Sequence, residues 1–218
     1  MVRTLKTVPR GNLNPKTVVK VTKVNRITAI CGIVAPPFFA LMVVIESLLR
    51  PGYSQVSDVI SDLGVGPYSI LQNINFWVFG ILVFALAVGL SRALPRSRAV
   101  TVTMSIFAWL AFLAGFFPDA PLPYPGNVHN VIAVIAFLSI IASQFFMWRR
   151  LGRVSVEEKS VWRGYGNYSF INGIASVVLL FLFGNAPTSP IAGLVERLLV
   201  IVIWSWIEVV ALRLYRAT

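Results

Sequence analysis

Six apolar runs, at 27–49, 69–90, 99–117, 128–148, 165–183 and 191–212, occupy most of the chain. Each is long enough to cross about 30 Å of hydrocarbon as a helix. The pattern predicts an all-α polytopic membrane protein, a bundle of six transmembrane helices. No composition break follows Arg26, so two parts are expected: a basic cytoplasmic arm at 1–26 and a single transmembrane domain at 27–218.

Charge gives the orientation. Seven basic residues precede the first run, Arg92, Arg96 and Arg98 follow the second, and Arg149, Arg150, Arg153, Lys159 and Arg163 follow the fourth. Arg213 and Arg216 close the chain, which leaves only Arg50 and Arg197 toward the opposite side. Short cytoplasmic loops keep positive charge, so both termini are expected in the cytoplasm of a cell-membrane protein. A formal charge of +11 would point to nucleic acid in a soluble chain. Beside membrane spans it points to anionic lipid headgroups, and no nucleic-acid partner is expected.

The basic arm contains Gly11 and Pro15 and runs into the first span without a small-residue cleavage pattern, so a retained first helix is expected and not a signal peptide. Cys31, the single cysteine, lies within that helix and can build neither a disulfide framework nor a cysteine metal site. Pro36 and Pro37 remove backbone donors in mid-helix and predict a kink, with Glu46 about two and a half turns beyond it. Small residues four apart (Ala85 and Gly89, Ala111 and Gly115, Ser139 and Ser143) predict close helix contacts. Trp148, Trp162, Trp204 and Trp206 lie toward span ends and are expected to anchor in the headgroup zone. Asn167, Tyr168, Asn172 and Glu208 read as interhelical glue and a snorkelling acid at the basic end.

Five of the eight acids and the only histidine fall on the exterior side. In the first exterior loop Val56, Val59, Ile60 and Leu63 form one apolar helical stripe ending at Gly64, which predicts a short amphipathic helix. Its other face carries Ser54, Asp58, Ser61 and Asp62; the two carboxylates repel at that spacing, and Arg50, Arg197 or a divalent cation could compensate them. The second exterior loop has four prolines in eight residues and holds Asp119 near His129, a pair that can position a general base or bind a metal. Glu196 and Arg197 lie about 8 Å inside the last span, where ionisable groups must face the bundle interior and find partners. Those partners are expected among Asp58, Asp62 and His129, or among Gln72, Asn73 and Asn75. One histidine builds neither a three-histidine zinc site nor bis-histidine haem, which leaves a divalent cation on carboxylates as the cofactor class still open.

The run Ser61-Asp62-Leu63-Gly64 after Ser57, Asn73 and Gly80 in the second span, Phe117-Pro118-Asp119 followed by His129, and Gly193 with Glu196-Arg197 together resemble the archaeal and bacterial membrane-protein family called domain of unknown function 998. The resemblance covers the chain after its basic arm and implies a six-helix bundle with an exterior polar cluster, without an activity. There is also a distant likeness to membrane hydrolases that hold zinc with three histidines, from which this chain departs by its histidine count.

Three functions fit these residues. One is a non-catalytic protein or accessory subunit that packs against membrane-complex partner chains and uses its exterior charges as a brace. A second is an outer-leaflet lipid- or amide-processing hydrolase or transferase. It would use Asp119 and His129 as catalytic groups, Asp58, Asp62 and Glu196 as ion or substrate ligands, and Arg197 for a phosphate. The third is a small transporter built on Glu46 and Glu196. A closed set of pairs marks the first, and a cavity into which the groups converge marks the second.

Overall fold

The computed structural model describes residues 23–94, 96–119, 128–152, 162–185 and 189–217. Most of the basic arm, three of the four prolines of the second loop, and the stretch holding Arg153 and Lys159 lie outside them. Among the described residues there are six α-helices, one short 3-10 helix and no strand. The helices are α1 Lys23–Leu49, α2 Ser69–Ala93, α3 Arg98–Ala114, α4 Val128–Leu151, α5 Tyr165–Asn185 and α6 Ala192–Arg216. Each packs against the next, and α6 returns to α1, so the bundle closes on itself; α6 also reaches α2 and α4.

Five helices are long and apolar enough to span a membrane, and α3, with 17 residues, is shorter. The sequence extends that third run to Phe117, but the helix stops at Ala114 and tightens into three-residue turns, with the Phe116 amide 2.9 Å from the Leu113 carbonyl. The cause is local: Phe117 precedes Pro118, whose ring disfavours helical backbone at the preceding residue. By contrast α1 stays helical through Pro36 and Pro37. Close beyond them the Asn75 side-chain amide donates to the Phe39 carbonyl at 3.2 Å, tying α2 to the proline-bearing half of α1.

Large apolar side chains occupy both the core and the outside. Leu86, Leu199, Ile203, Trp206 and Leu214 are fully buried, whereas Leu41, Leu48, Ile81, Ile171, Phe181 and Ile201 face outward. Helices apolar on all faces belong in lipid, where association depends on close packing and interhelical hydrogen bonds. In the expected small-residue pairs the second member makes the contact. Gly89 lies against Thr28, Gly115 against Trp77 and the Asn73 carbonyl, and the Ser143 hydroxyl is 2.6 Å from that of Thr103.

Near the basic end Gln144 donates to Asn172 at 3.0 Å, and Asn172 donates to the Val202 carbonyl at 3.0 Å. Trp206 donates to Ser169 at 2.9 Å. These bonds join α4, α5 and α6, the gluing role read from Asn172. The tryptophans differ from expectation: Trp206 and Trp162 are buried, and only Trp148 of the four is well exposed. The buried stripe of α6 runs through Glu196, Leu199, Ile203, Trp206, Val210 and Leu214, so helical register turns Trp206 inward despite its position near a span end.

Glu46 on α1 is 2% exposed, and neither carboxylate oxygen finds a hydrogen-bond donor among the described residues. An unmatched polar group in such a place costs about 1–3 kcal/mol. Glu46→Met is therefore expected to raise the melting temperature in detergent. A lowered value would mean that this carboxylate is paired in the membrane.

Candidate functional site

At the acidic end of the bundle the 50–68 segment lies across the mouth as a strap. It does not form the amphipathic α-helix expected over 53–64. Residues 54–58 close a single turn, with the Asp58 amide 2.8 Å from the Ser54 carbonyl, and after an extended Val59 a 3-10 helix spans Ile60–Gly64. Val56 is exposed while Ile60 and Leu63 are buried, so only part of the apolar stripe packs inward.

The tertiary seam with α6 explains why the helix is lost. The carbonyls of Val56 and Ser57 accept the Leu194 and Gly193 amides at 2.9 and 3.3 Å, and the Asp58 carbonyl accepts Arg197 Nη1 at 2.8 Å. Three consecutive carbonyls turned toward α6 do not run along a helical ladder; those of Val56 and Ser57 satisfy orphan amides at the start of α6, and that of Asp58 takes the Arg197 guanidinium. Gly193 is required there, because a Cβ would collide with the Asp58 carbonyl.

Asp58 turns its carboxylate back on its own segment, accepting the Ser54 amide at 2.8 Å and the Ser57 hydroxyl at 2.9 Å. Asp62 Oδ2 accepts the Val59 amide at 3.2 Å. Burial raises the Asp62 carboxyl above its ordinary range; the Val59 amide opposes the rise, the nearby Asp119 and Asp58 carboxylates add to it, and Arg50 opposes it.

Both arginines expected to compensate these acids bind main chain. Arg50 Nη1 donates to the carbonyls of Asp62 and Val65, the second at 2.5 Å. Arg197 also donates to the Gly193 carbonyl at 2.9 Å and to the Tyr53 hydroxyl at 2.6 Å, with its guanidinium over the Tyr53 ring. The Tyr53 hydroxyl in turn donates to the Val59 carbonyl at 2.9 Å. Burial pushes that phenol up to about 12, against the lowering by Arg197, so it keeps its proton at neutral pH and can play both parts.

Beneath the strap lies a cavity that opens to the outside. Phe39, Phe76, Phe79, Phe107, Phe137 and Trp204 supply much of its wall, and all six helices contribute. Polar groups gather at one end: Ser61 from the strap, His129 and Asn130 from the start of α4, and Glu196 from α6. From Glu196 to Ile203 the cavity runs seven residues along α6, about 10 Å by helical rise.

Glu196, 7% exposed, accepts the Ile60 amide on Oε2 at 2.5 Å, which holds the strap over the cavity. His129, 5% exposed, stands with Nδ1 2.7 Å from the Phe117 carbonyl, two residues before Asp119. A carbonyl only accepts, so Nδ1 carries the hydrogen, and in a neutral imidazole of that tautomer Nε2 is the acceptor.

The expected residues thus divide. Arg197, Asp58 and Asp62 hold the strap together, while His129 and Glu196 line the cavity. Asp119 is half-buried close enough to Asp62 to act on its charge. No group of three or more His, Cys, Asp or Glu side chains suited to a metal ion is found among the described residues. Sequence reasoning missed the aromatic wall, Asn130, and Tyr53 as a partner of Arg197. Only Asn130, adjacent to His129, carried a local signal.

Residues 33–213 match the family model described as protein of unknown function DUF998. Neither a curated protein nor a solved structure matches the chain.

Proposed function

This chain belongs to the DUF998 family, as its motifs implied, and from that premise we propose that it is a membrane-embedded receptor for a single amphipathic molecule. The molecule's chain occupies the aromatic cavity, and its head meets His129, Asn130, Ser61 and Glu196. The single observation that carries this reading is an apolar cavity with its polar lining, the buried His129 and Glu196 included, at one end. A purely structural brace would close those groups upon one another. Arg197, Asp58 and Asp62 spend their side chains on the strap and its seam and do not line the cavity, whereas His129 and Glu196, each with a backbone bond of its own, also line it.

In this reading all six helices cross a cell membrane with both termini in the cytoplasm, and the basic end contacts anionic headgroups. Support comes from the segregation of Lys and Arg and from the apolar outer faces of the bundle. The strap and cavity then open at the outer leaflet. A lipid- or amide-processing reaction is the second reading, favoured by His129 and Glu196 lining one cavity: His129 would act as base through Nε2, its ring oriented by the Phe117 carbonyl at Nδ1. Service as a subunit beside partner chains is compatible with either.

Native mass spectrometry of detergent-extracted protein tests the receptor reading. The wild-type chain is expected to retain one amphiphile. Ala136→Trp, which fills the cavity from α4, is expected to lose it, and Val134→Trp, on the outward face of the same helix, to keep it. Melting temperatures establish that both variants fold. Absence of any bound amphiphile in the wild-type protein, or its retention by folded Ala136→Trp, overturns the reading.

A further inference from the structure

We propose that the polar end of the cavity selects an amphiphile whose head donates hydrogen bonds, a hydroxyl or an amine, and rejects phosphate and carboxylate heads. This rests on the receptor reading and adds the headgroup class to it.

The two ionisable side chains at that end both present acceptors. Glu196 already accepts the Ile60 amide on Oε2, so that oxygen is an acceptor in place. His129 commits its Nδ1 hydrogen to the Phe117 carbonyl, which in the neutral imidazole makes Nε2 an acceptor. A hydroxyl or ammonium head satisfies both groups. An anionic head would set its lone pairs against those of Glu196 and His129, with only the uncharged Ser61 hydroxyl and Asn130 amide to offset them.

The cations that could rescue an anionic head are committed elsewhere. Arg50 and Arg197 are the only basic residues between Arg26 and Arg92 and between Arg163 and Arg213, respectively, and neither lines the cavity. Arg197 directs its Nη groups to the Asp58 and Gly193 carbonyls and to Tyr53, and Arg50 binds the Asp62 and Val65 carbonyls. Asp62 and Asp119, which do not line the cavity, stand close enough to interact and add negative charge on the strap side. The expectation that Arg197 steers a phosphate is therefore replaced by its opposite.

Four amphiphiles with one common chain length, ending in alcohol, primary amine, carboxylate and phosphate, are titrated into the full chain in neutral detergent, and affinity is read from the rise in melting temperature. Alcohol and amine are expected to bind at least about tenfold more tightly than carboxylate and phosphate, and Glu196→Gln is expected to narrow that gap by admitting the anions. Wild-type binding of phosphate or carboxylate as tight as that of the alcohol overturns the headgroup assignment and leaves the receptor reading standing. No shift with any of the four removes the receptor reading, and this inference with it. The wild-type comparison decides the matter even if Glu196→Gln does not fold.

Discussion

Arg197→Leu is expected to detach the strap from α6 and to lower stability by about 2–4 kcal/mol, the effect of losing several hydrogen bonds from one charged donor. Three acceptors lose that donor at once: the Asp58 carbonyl, the Gly193 carbonyl and the Tyr53 hydroxyl. The Asp58 carbonyl is held in the seam by nothing else as strong. Amide hydrogen exchange reads the change locally, because the Ile60, Gly193 and Leu194 amides donate across that seam. Those three are expected to exchange much faster in the variant, while amides in the middle of α2 keep their wild-type protection. Arg197→Lys should recover only part of the loss, since one ammonium cannot reproduce the planar fork that serves two carbonyls and a phenol together. Uniform acceleration over the whole chain would instead make Arg197 a general stability residue and not a strap clamp.

A second large effect is expected on the far side of the cavity. At Gly80 a Cβ would stand 2.6 Å from the Ala108 carbonyl oxygen and 2.8 Å from the Phe112 amide nitrogen, both main-chain atoms of α3. Backbone cannot yield as a flexible side chain can, so Gly80→Val must push α2 and α3 apart. Overpacking of this kind costs about 1–3 kcal/mol or more. In lipid no hydrophobic force draws the helices back together. The neighbouring Phe79 and Phe107 form part of the cavity wall, so amphiphile retention should fall along with folded yield. Gly184→Ala provides the control: nothing lies within 4 Å of that position, and the substitution should be neutral or slightly stabilising in a helix. Equal losses at Gly80 and Gly184 would contradict the packing argument.

What the sequence made legible follows from the range of the forces involved. Apolar runs and small residues four apart report on lipid and on nearest-neighbour helices, and the helices were found where those signals lay. The early end of α3 was also readable, since Pro118 acts on the residue beside it. The strap was not. Its stripe of Val56, Val59, Ile60 and Leu63 carries a sound helical period, yet its carbonyls bond to amides and an arginine more than 130 residues away. Glu196 and Arg197 were singled out by the cost of burying charge, which is a property of single residues. Apart from Tyr53, their partners turned out to be backbone groups, which every sequence contains and no pattern marks. The aromatic wall stayed hidden for a related reason: a phenylalanine facing a cavity and one facing lipid look alike in a chain where both surroundings are apolar.

Photo-crosslinking at two adjacent positions of α3 tests the central claim most directly. Leu110 lines the cavity, and Trp109 is 54% exposed on the outer face. A diazirine amino acid is placed at each position in turn, activated in native membranes, and the adducts are identified by mass spectrometry. Position 110 is expected to capture one amphiphile species with a hydroxyl or amine head, and position 109 the mixture of bulk lipids. The same lipid mixture at both positions, or no adduct at 110, would contradict the account.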